Sequence, residues 1–242
     1  MRKACFHFAL FAIFALPTVT TVLNGAGRAG QQSTAIDSAQ LLRGTIDIHV
    51  HSDPDNVPRS MDGIDVAKLA LSKGMRGIVL KNHYDPTAGL AFLARKEAAG
   101  LEVFGGVDLN LTVGGMNAAA VEHLTEVAGG WGRIVWMSTF DAENQVHYSK
   151  ENRPFVSVAR AGVLLPETKA VISAIAKHGL VLATGHVSAE EALLLLHEGH
   201  QQGVQHIGRD ARHQSAHPHG DLPNARGDDA RRIHRICRGF SH

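Results

Sequence analysis

Residues 44–55, GTIDIHVHSDPD, place two histidines and an aspartate at a spacing that suits metal binding. Asp47, His49 and His51 alternate with branched apolar residues, as in a β-strand, so their side chains are predicted to share one face. Imidazole nitrogens two residues apart on a strand can converge on one ion, and neutral imidazole suits zinc and its first-row neighbours. We therefore predict that His49 and His51 bind a divalent metal and that Asp47 orients a ligand histidine. The alternative is that all three are hydrogen-bonded polar residues on a structural strand.

Other reactive side chains also follow predicted strands. His186 closes the fifth strand, LVLATGH, and Lys81 and His83 close the second, MRGIVLKNH. We predict His186 as a third metal ligand, with Lys81 and His83 as metal or substrate contacts. Polar residues also end the third and fourth strands, and for these we favour a loop role in which they satisfy backbone groups: Asp108, Asn110 and Asp141. The catalytic general base is left unassigned.

The elements that must position these residues alternate along the chain. From Leu41 onward, strand-like segments alternate with segments of helical period in five successive units, which is typical of an α/β protein with a parallel sheet. No glycine-rich dinucleotide motif follows the first strand, whereas reactive side chains gather at the carboxyl ends of several strands, as in a barrel. The predicted fold is an incomplete (β/α)8 TIM-type barrel with about five clear βα units and an irregular C-terminal tail. In its first strand, three apolar side chains would face the helix layer: Ile46, Ile48 and Val50.

The D-x-H-x-H motif of the first strand and the histidine that closes the fifth resemble those of the amidohydrolase superfamily of metal-dependent hydrolases. The segments KNHYDPTAG, LLPE and ATGHVSAEEA are similar to a poorly characterised amidohydrolase-like branch, and the resemblance covers residues 44–207. It implies a distorted (β/α)8 barrel in which one or two divalent ions, zinc foremost, activate water for hydrolysis. His49 and His51 match the family's first-strand pair, and His186 matches its fifth-strand ligand.

The sequence departs from that family at its fourth strand, RIVWMSTFDA, which has neither the carboxylated lysine nor the glutamate that members often carry there. Lys81 is the nearest substitute for a bridging carbamate, although such a lysine is more often a substrate clamp or a surface charge. The resemblance also implies a sixth-strand histidine and an eighth-strand aspartate, the usual general base, and neither is found in this sequence.

The N-terminal residues resemble a secretory signal peptide. Arg2 and Lys3 precede a short apolar run, and small residues up to Ala29 suit a cleavage site. We predict removal of residues 1–29 and export to the periplasm or the medium, with no stable membrane span after cleavage. An uncleaved anchor and a misassigned start codon are the alternatives.

The composition is that of an ordinary globular protein. The chain has 242 residues, 44% of them hydrophobic, and a formal net charge of +1, so no broad electrostatic attraction to nucleic acid is expected. Cys5 and Cys237 lie near opposite ends and predict neither a disulfide framework nor a cysteine zinc site. A small-molecule substrate is the predicted partner, and the oligomeric state is left open.

The composition changes abruptly after Ile207. Residues 208–242 contain seven arginines, no lysine and five histidines, without an apolar period, so we predict a disordered tail. Read one nucleotide later, codons for GRDARHQS permit Val-Val-Thr-His-Ala-Ile-Asn-Pro, a strand that ends in histidine. We therefore favour a reading-frame shift near Ile207 over metal binding by His213, His217 and His219 or nucleic-acid contact by the arginines.

The predicted organisation is a signal peptide (1–29), a linker (30–43), a partial amidohydrolase-like barrel (44–207) and an out-of-frame tail (208–242). The predicted function is metal-dependent hydrolysis of a small amide, ester or lactone. Because an interrupted barrel would hold its ligands poorly, weak activity is expected of the chain as written. The alternatives are a phosphoesterase of a related histidine-rich barrel family, a non-catalytic exported protein that binds metal or ligand, and a nonfunctional fragment.

Overall fold

The structure, a computed structural model, describes residues 38–208. The predicted signal peptide, the linker up to residue 37 and the tail from residue 209 lie outside the described residues, so the predicted domain boundaries and the frame shift stay predictions. No helix in the described part is long and apolar enough to cross a membrane.

Helices and strands alternate along the described chain. The helices are α1 (Ser38–Leu42), α2 (Gly63–Ser72), α3 (Ala88–Glu97), α4 (Ala118–Glu126), α5 (Glu143–Tyr148), α6 (Pro166–Lys177) and α7 (Ala189–Gln201). The strands are β1 (Ile46–His51), β2 (Gly77–Lys81), β3 (Glu102–Asp108), β4 (Gly132–Trp136), β5 (Ala159–Arg160), β6 (Val163–Leu164), β7 (Val181–Ala183) and β8 (His206–Gly208).

Six of the strands form one parallel sheet in the order β1-β2-β3-β4-β7-β8. The sheet is curled into a half-barrel, consistent with an incomplete TIM-type barrel, so the predicted fold class is confirmed. The carboxyl ends of parallel strands lie at one edge of a sheet, and active sites of barrel proteins lie at that edge.

The core lies on both faces of this sheet. Along β2, Ile78 and Leu80 pack with residues of α2 and α3, whereas Val79 between them packs with residues of the other strands, because successive side chains of a strand point to opposite faces. The inner-face cluster is Val79, Phe104, Ile134, Trp136, Val181 and Ala183, with Ile48 against it. Full burial of such a branched or aromatic side chain contributes roughly 1.5–3 kcal/mol.

The first strand departs from strict alternation. Its register against β2 shifts between Asp47 and Val50, with one more residue step on β1 than on β2. Ile48 therefore packs on the inner-face cluster, whereas Val50 packs on the outer face with residues of α2 and α3. The prediction that Ile46, Ile48 and Val50 share the helix-facing side is wrong, because an inserted residue reverses the direction of the side chains that follow it.

Local sequence explains where two of the helices begin. The carboxylate of Asp62 accepts hydrogen bonds from the backbone N–H groups of Ile64 and Asp65 at the start of α2. The hydroxyl of Ser188 accepts a hydrogen bond from the backbone N–H of Glu191 at the start of α7, and the Glu191 carboxylate accepts one from the backbone N–H of Ser188, which completes a capping box. Each cap satisfies N–H groups that have no partner inside the helix.

The segment between β4 and β7 contains short regular elements in addition to α6. It holds α5 and the antiparallel β5–β6 hairpin, which turns at Gly162 with a φ of 77°. Such short elements carry too few residues for a readable period, so they cannot be predicted from the apolar pattern.

Candidate metal centre

Three polar side chains meet at the carboxyl ends of β1 and β2. His51 is the last residue of β1, and His83 lies two residues beyond the end of β2. Because β1 and β2 are parallel and His51 pairs with Lys81, both strands end at the same edge of the sheet. Asp55, from the loop between β1 and α2, completes what we call the His–Asp–His group. One ligand atom from each of its residues lies within 4.8 Å of the other two.

The carboxylate of Asp55 is the centre of this group. Its Oδ2 lies 3.1 Å from Nδ1 of His83 and 3.8 Å from Nδ1 of His51. The two imidazole rings stack, with centroids 4.6 Å apart and planes inclined by 14°. Asp55 has a side chain only 1% exposed, so the carboxylate is held away from bulk water beside two nitrogen ligands.

The loop that carries Asp55 is tied to its surroundings. The backbone N–H of Asp53 donates to the carbonyl of Met61 at 2.9 Å, which closes the loop on itself. The side-chain amide of Asn82 donates to the carbonyl of the residue before Asp55, and the backbone N–H of His83 donates to Oδ1 of Asp55 at 3.2 Å. The strand end that carries His83 therefore also positions Asp55.

His49 lies beside the group. Its Nε2 is 3.1 Å from Nε2 of His51, so only one of these two nitrogens carries a proton, and its side chain faces solvent. Asp47 is exposed, and its Oδ1 accepts a hydrogen bond from the backbone N–H of His49 at 3.0 Å. Asp47 thus contacts the backbone of the predicted pair; its predicted contact with a ligand ring, and metal ligation by His49, stay predictions.

His186 is buried beyond the end of β7. Its ring centroid lies 6.1 Å from that of Phe140, whose ring in turn stacks on His83 with centroids 3.7 Å apart. The backbone carbonyl of His186 accepts a hydrogen bond from Asn144 at 3.0 Å. His186 therefore lies near the His–Asp–His group without belonging to it, and its predicted ligand role stays a prediction.

Burial and neighbouring charges keep the group in the state that binds metals. Burial, then the neighbouring His83 and His49, lower the pKa of His51 to about 3. Burial lowers the pKa of His83 to about 4, although Asp55 opposes the shift. Burial would raise the pKa of Asp55, but hydrogen bonds from Arg59 and from backbone N–H groups outweigh it and hold this pKa below its usual value. Near neutral pH the group thus offers two neutral imidazoles and one carboxylate.

Lys81 lies below this group at the end of β2 and is fully buried, so it is not a surface charge. Its Nζ is 3.7 Å from Oδ2 of Asp108 and 4.5 Å from the ring centroid of Trp136. Asp108 also accepts a hydrogen bond from the hydroxyl of Thr139 at 2.9 Å. The contacts of Lys81 are those of a buried ion pair, and its predicted metal or substrate contact stays a prediction.

Asn110 and Asp141 connect the loops around the site. Oδ1 of Asn110 accepts from the backbone N–H groups of Thr139 and Asp141, and its amide donates to the carbonyl of His83 at 2.5 Å. Asp141 accepts from the backbone N–H of Leu111 at 2.9 Å. Both residues satisfy backbone groups, in agreement with the role that we favoured from the sequence. Asp108, for which we favoured the same loop role, instead ends β3, and its carboxylate contacts the side chains of Lys81 and Thr139.

The sequence did not single out Asp55 or the neighbouring Arg59. Both lie in the segment SDPDNVPRS, which is rich in turn-forming residues and has no apolar period. The one available signal was the carboxylate four residues after His51 in a segment that begins at a strand end. The tertiary contacts of such a loop determine which of its side chains lie near the strand end.

A cavity of about 380 Å³ lies next to the group. Phe140, which stacks on His83, forms one wall of the cavity. The other lining residues are Tyr84, Gln145, Glu151 and Arg153. This mixed aromatic and charged lining suits a small polar molecule.

The donor set fits a divalent transition metal. Two imidazole nitrogens and one carboxylate oxygen are the ligand types that bind catalytic zinc, and three protein ligands leave a position for water or substrate. The burial of Asp55 favours a charged partner over bulk water, as metal ligation requires. The group can therefore hold a metal ion, and the donor set does not identify which metal.

Comparison with known families identifies the family to which the chain is similar. The model of a family of unknown function, DUF6282, matches residues 44–234. The matched range includes the whole His–Asp–His group and extends into the segment for which a frame shift is predicted. No curated protein matches the chain.

Proposed function

We propose that this chain, which belongs to the DUF6282 family of unknown function, is a metal-dependent hydrolase of the amidohydrolase type that acts on a small molecule. One observation carries the proposal: two imidazoles and a carboxylate converge at the carboxyl edge of a half-barrel sheet. Membership of the amidohydrolase superfamily is part of this proposal and rests on the D-x-H-x-H motif and the half-barrel.

The position of the group supports a catalytic role over a structural one. Structural zinc sites use four protein ligands and are closed, whereas three protein ligands suit a site that keeps one position open. The group also lies where barrel enzymes place their catalytic residues. The adjoining cavity, of which the Phe140 ring that stacks on His83 forms one wall, is large enough for a small substrate.

His51, Asp55 and His83 would hold the ion, with zinc as the proposed metal and one or two ions in the site. When bound, such an ion polarises a carbonyl oxygen and lowers the pKa of water. Each imidazole in its neutral state has one unprotonated nitrogen, whose lone pair can bind a metal ion at neutral pH. The ring of Phe140 covers one face of the His83 imidazole, and Trp136 contacts the neighbouring His49.

The proposal is tested by metal analysis of the purified full chain after treatment with a chelator and reloading with zinc or manganese. We expect stoichiometric metal in the wild type and at least roughly tenfold weaker binding after His51→Asn or His83→Asn. His178→Asn is the control, because His178 pairs with Glu122 on α4, away from the group. Circular dichroism of each variant shows whether it has folded.

The loaded protein is then assayed with amides, esters, lactones and phosphate esters. Metal-dependent turnover of the first three classes supports the proposal, whereas turnover of phosphate esters alone assigns the chain to the phosphoesterases. Stoichiometric metal without turnover identifies a binding protein. A folded wild-type chain that takes up no metal contradicts the proposal.

A further inference from the structure

One nitrogen of Arg59 contacts all three residues of the His–Asp–His group. Its Nη2 lies 2.5 Å from Oδ2 of Asp55, 3.2 Å from Nδ1 of His83 and 3.4 Å from Nδ1 of His51. Its Nε donates a second hydrogen bond to the same Asp55 oxygen at 3.0 Å. A positive charge thus stands among the atoms that are the candidate metal ligands.

Arg59 cannot donate a separate hydrogen bond from Nη2 to each of the three atoms around it. Nη2 carries two hydrogens but has three neighbours, one carboxylate oxygen and two ring nitrogens, and a guanidinium can donate but not accept. An imidazole Nδ1 that accepts from it must be unprotonated, which is also the state that metal ligation requires. A single divalent ion could serve all three atoms at once, so Arg59 and a metal compete for the same lone pairs.

Arg59 can leave without unfolding the loop. Its side chain is 21% exposed, whereas that of Asp55 is 1% exposed, so the guanidinium reaches the group from the solvent side. The backbone N–H of Arg59 is held separately by the carboxylate of Asp53 at 3.1 Å. Rotation about the side-chain bonds would therefore move the charge while the backbone stays in place.

We propose that Arg59 is a displaceable internal cation: it occupies the metal position in the metal-free protein, leaves when a divalent ion binds, and then binds an anionic group of the substrate. This inference rests on the proposed metal site and names its substrate class. The Asp55–Arg59 pair has no net charge, so addition of a divalent ion gives the site a net charge of +2. Once displaced, the guanidinium of Arg59 no longer has Asp55 as its partner. A guanidinium fork matches carboxylate and phosphate groups alike, and we name the carboxylate because the proposed reaction acts on amides, esters or lactones and not on phosphate esters.

Substitution of Arg59 should change the affinities for zinc and for a carboxylate in opposite directions. Arg59→Gln removes the competing cation, so zinc should bind roughly tenfold more tightly, as measured by competition with a chelating dye. The same variant, once loaded with zinc, should bind acetate several-fold more weakly than loaded wild type in calorimetric titration. A misfolded variant would bind both zinc and acetate more weakly. Tighter zinc binding together with weaker acetate binding therefore indicates competition and not misfolding.

Arg76→Gln is the matched control. Arg76 forms a partly exposed ion pair with Glu102 at 2.9 Å, immediately before β2 and therefore at the opposite edge of the sheet. Arg76→Gln should leave the affinities for zinc and acetate unchanged. Equal or weaker zinc binding by folded Arg59→Gln overturns the inference while leaving the metal site intact. Failure of both wild type and Arg59→Gln to bind zinc overturns the metal site as well.

Discussion

The imidazole of His83 lies flat on the phenyl ring of Phe140, with centroids 3.7 Å apart and planes inclined by 9°. His83 follows β2, whereas Phe140 follows β4, so a side chain from one βα unit fixes the ring orientation of a candidate ligand in another. The ring of His51 also stacks on His83. Only the curled sheet brings these three rings together.

Removal of the Phe140 ring should weaken metal binding by the His–Asp–His group without abolishing it. Phe140→Ala frees the imidazole of His83 to rotate, and we expect zinc affinity to fall by roughly tenfold, the usual effect of losing a group that supports a ligand. Competition with a chelating dye measures this. Phe140→Tyr keeps the ring stack and should keep the affinity; equal losses in both variants would contradict a stacking role.

Asp55→Asn should weaken metal binding by at least roughly tenfold and also destabilise the metal-free protein. The substitution removes a ligand and leaves Arg59 without its carboxylate partner. Because Arg59 is partly exposed, we expect a loss of about 1–3 kcal/mol, below that of a fully buried pair. Urea unfolding measures it. Asp65→Asn, on an exposed residue in the first turn of α2, is the control and should cost only about 0.3–1 kcal/mol, from the lost interaction with the helix dipole.

The metal-free protein should lose stability as the pH falls below the ordinary histidine pKa of 6.5. Burial lowers the pKa of His51 to about 3 and that of His83 to about 4, so between those values and 6.5 the unfolded chain binds more protons than the folded one. Each histidine then contributes a slope of up to about 1.4 kcal/mol per pH unit. Urea unfolding from pH 7 to pH 4 tests this. A His51→Asn, His83→Asn double variant should show a flatter profile, and an unchanged profile would contradict the assignment.

Removal of only one charge of the buried Lys81–Asp108 ion pair should destabilise the protein strongly. Lys81→Met leaves the carboxylate of Asp108 buried without its cation, and we expect a loss of about 3–5 kcal/mol. Lys81→Met combined with Asp108→Leu removes both charges and should cost less than Lys81→Met alone. Denaturant unfolding of the single and double variants measures the difference. A double variant as unstable as the sum of the single variants would show that the two residues do not interact.

Ser188→Ala should cost about 1 kcal/mol, because it removes one half of the capping box at the start of α7. Ser72→Ala, on an exposed serine in the last turn of α2, is the control with the same change in side chain. A thermal unfolding midpoint that falls only for Ser188→Ala supports the cap. An equal shift in both variants would mean that the cap contributes nothing specific.

The period of the apolar residues was enough to predict the parallel sheet and the helices that cover it. In segments such as residues 75–83, the local run of apolar residues predicts a strand without reference to the rest of the chain. The same reasoning failed inside β1, where strict alternation placed Ile48 on the wrong face. A bulge is set by pairing with the neighbouring strand, and a single strand does not encode it.

For the site, the sequence by itself determined that histidines lie at the ends of neighbouring parallel strands. Alternation and strand order decide that much, and they placed His51 and His83 at one edge of the sheet. Tertiary structure alone decided that Asp55 completes the group and that Arg59 stands within it. Both residues belong to a loop without periodicity, whose path is fixed by hydrogen bonds to residues distant in sequence, such as that from the backbone of His83 to Asp55.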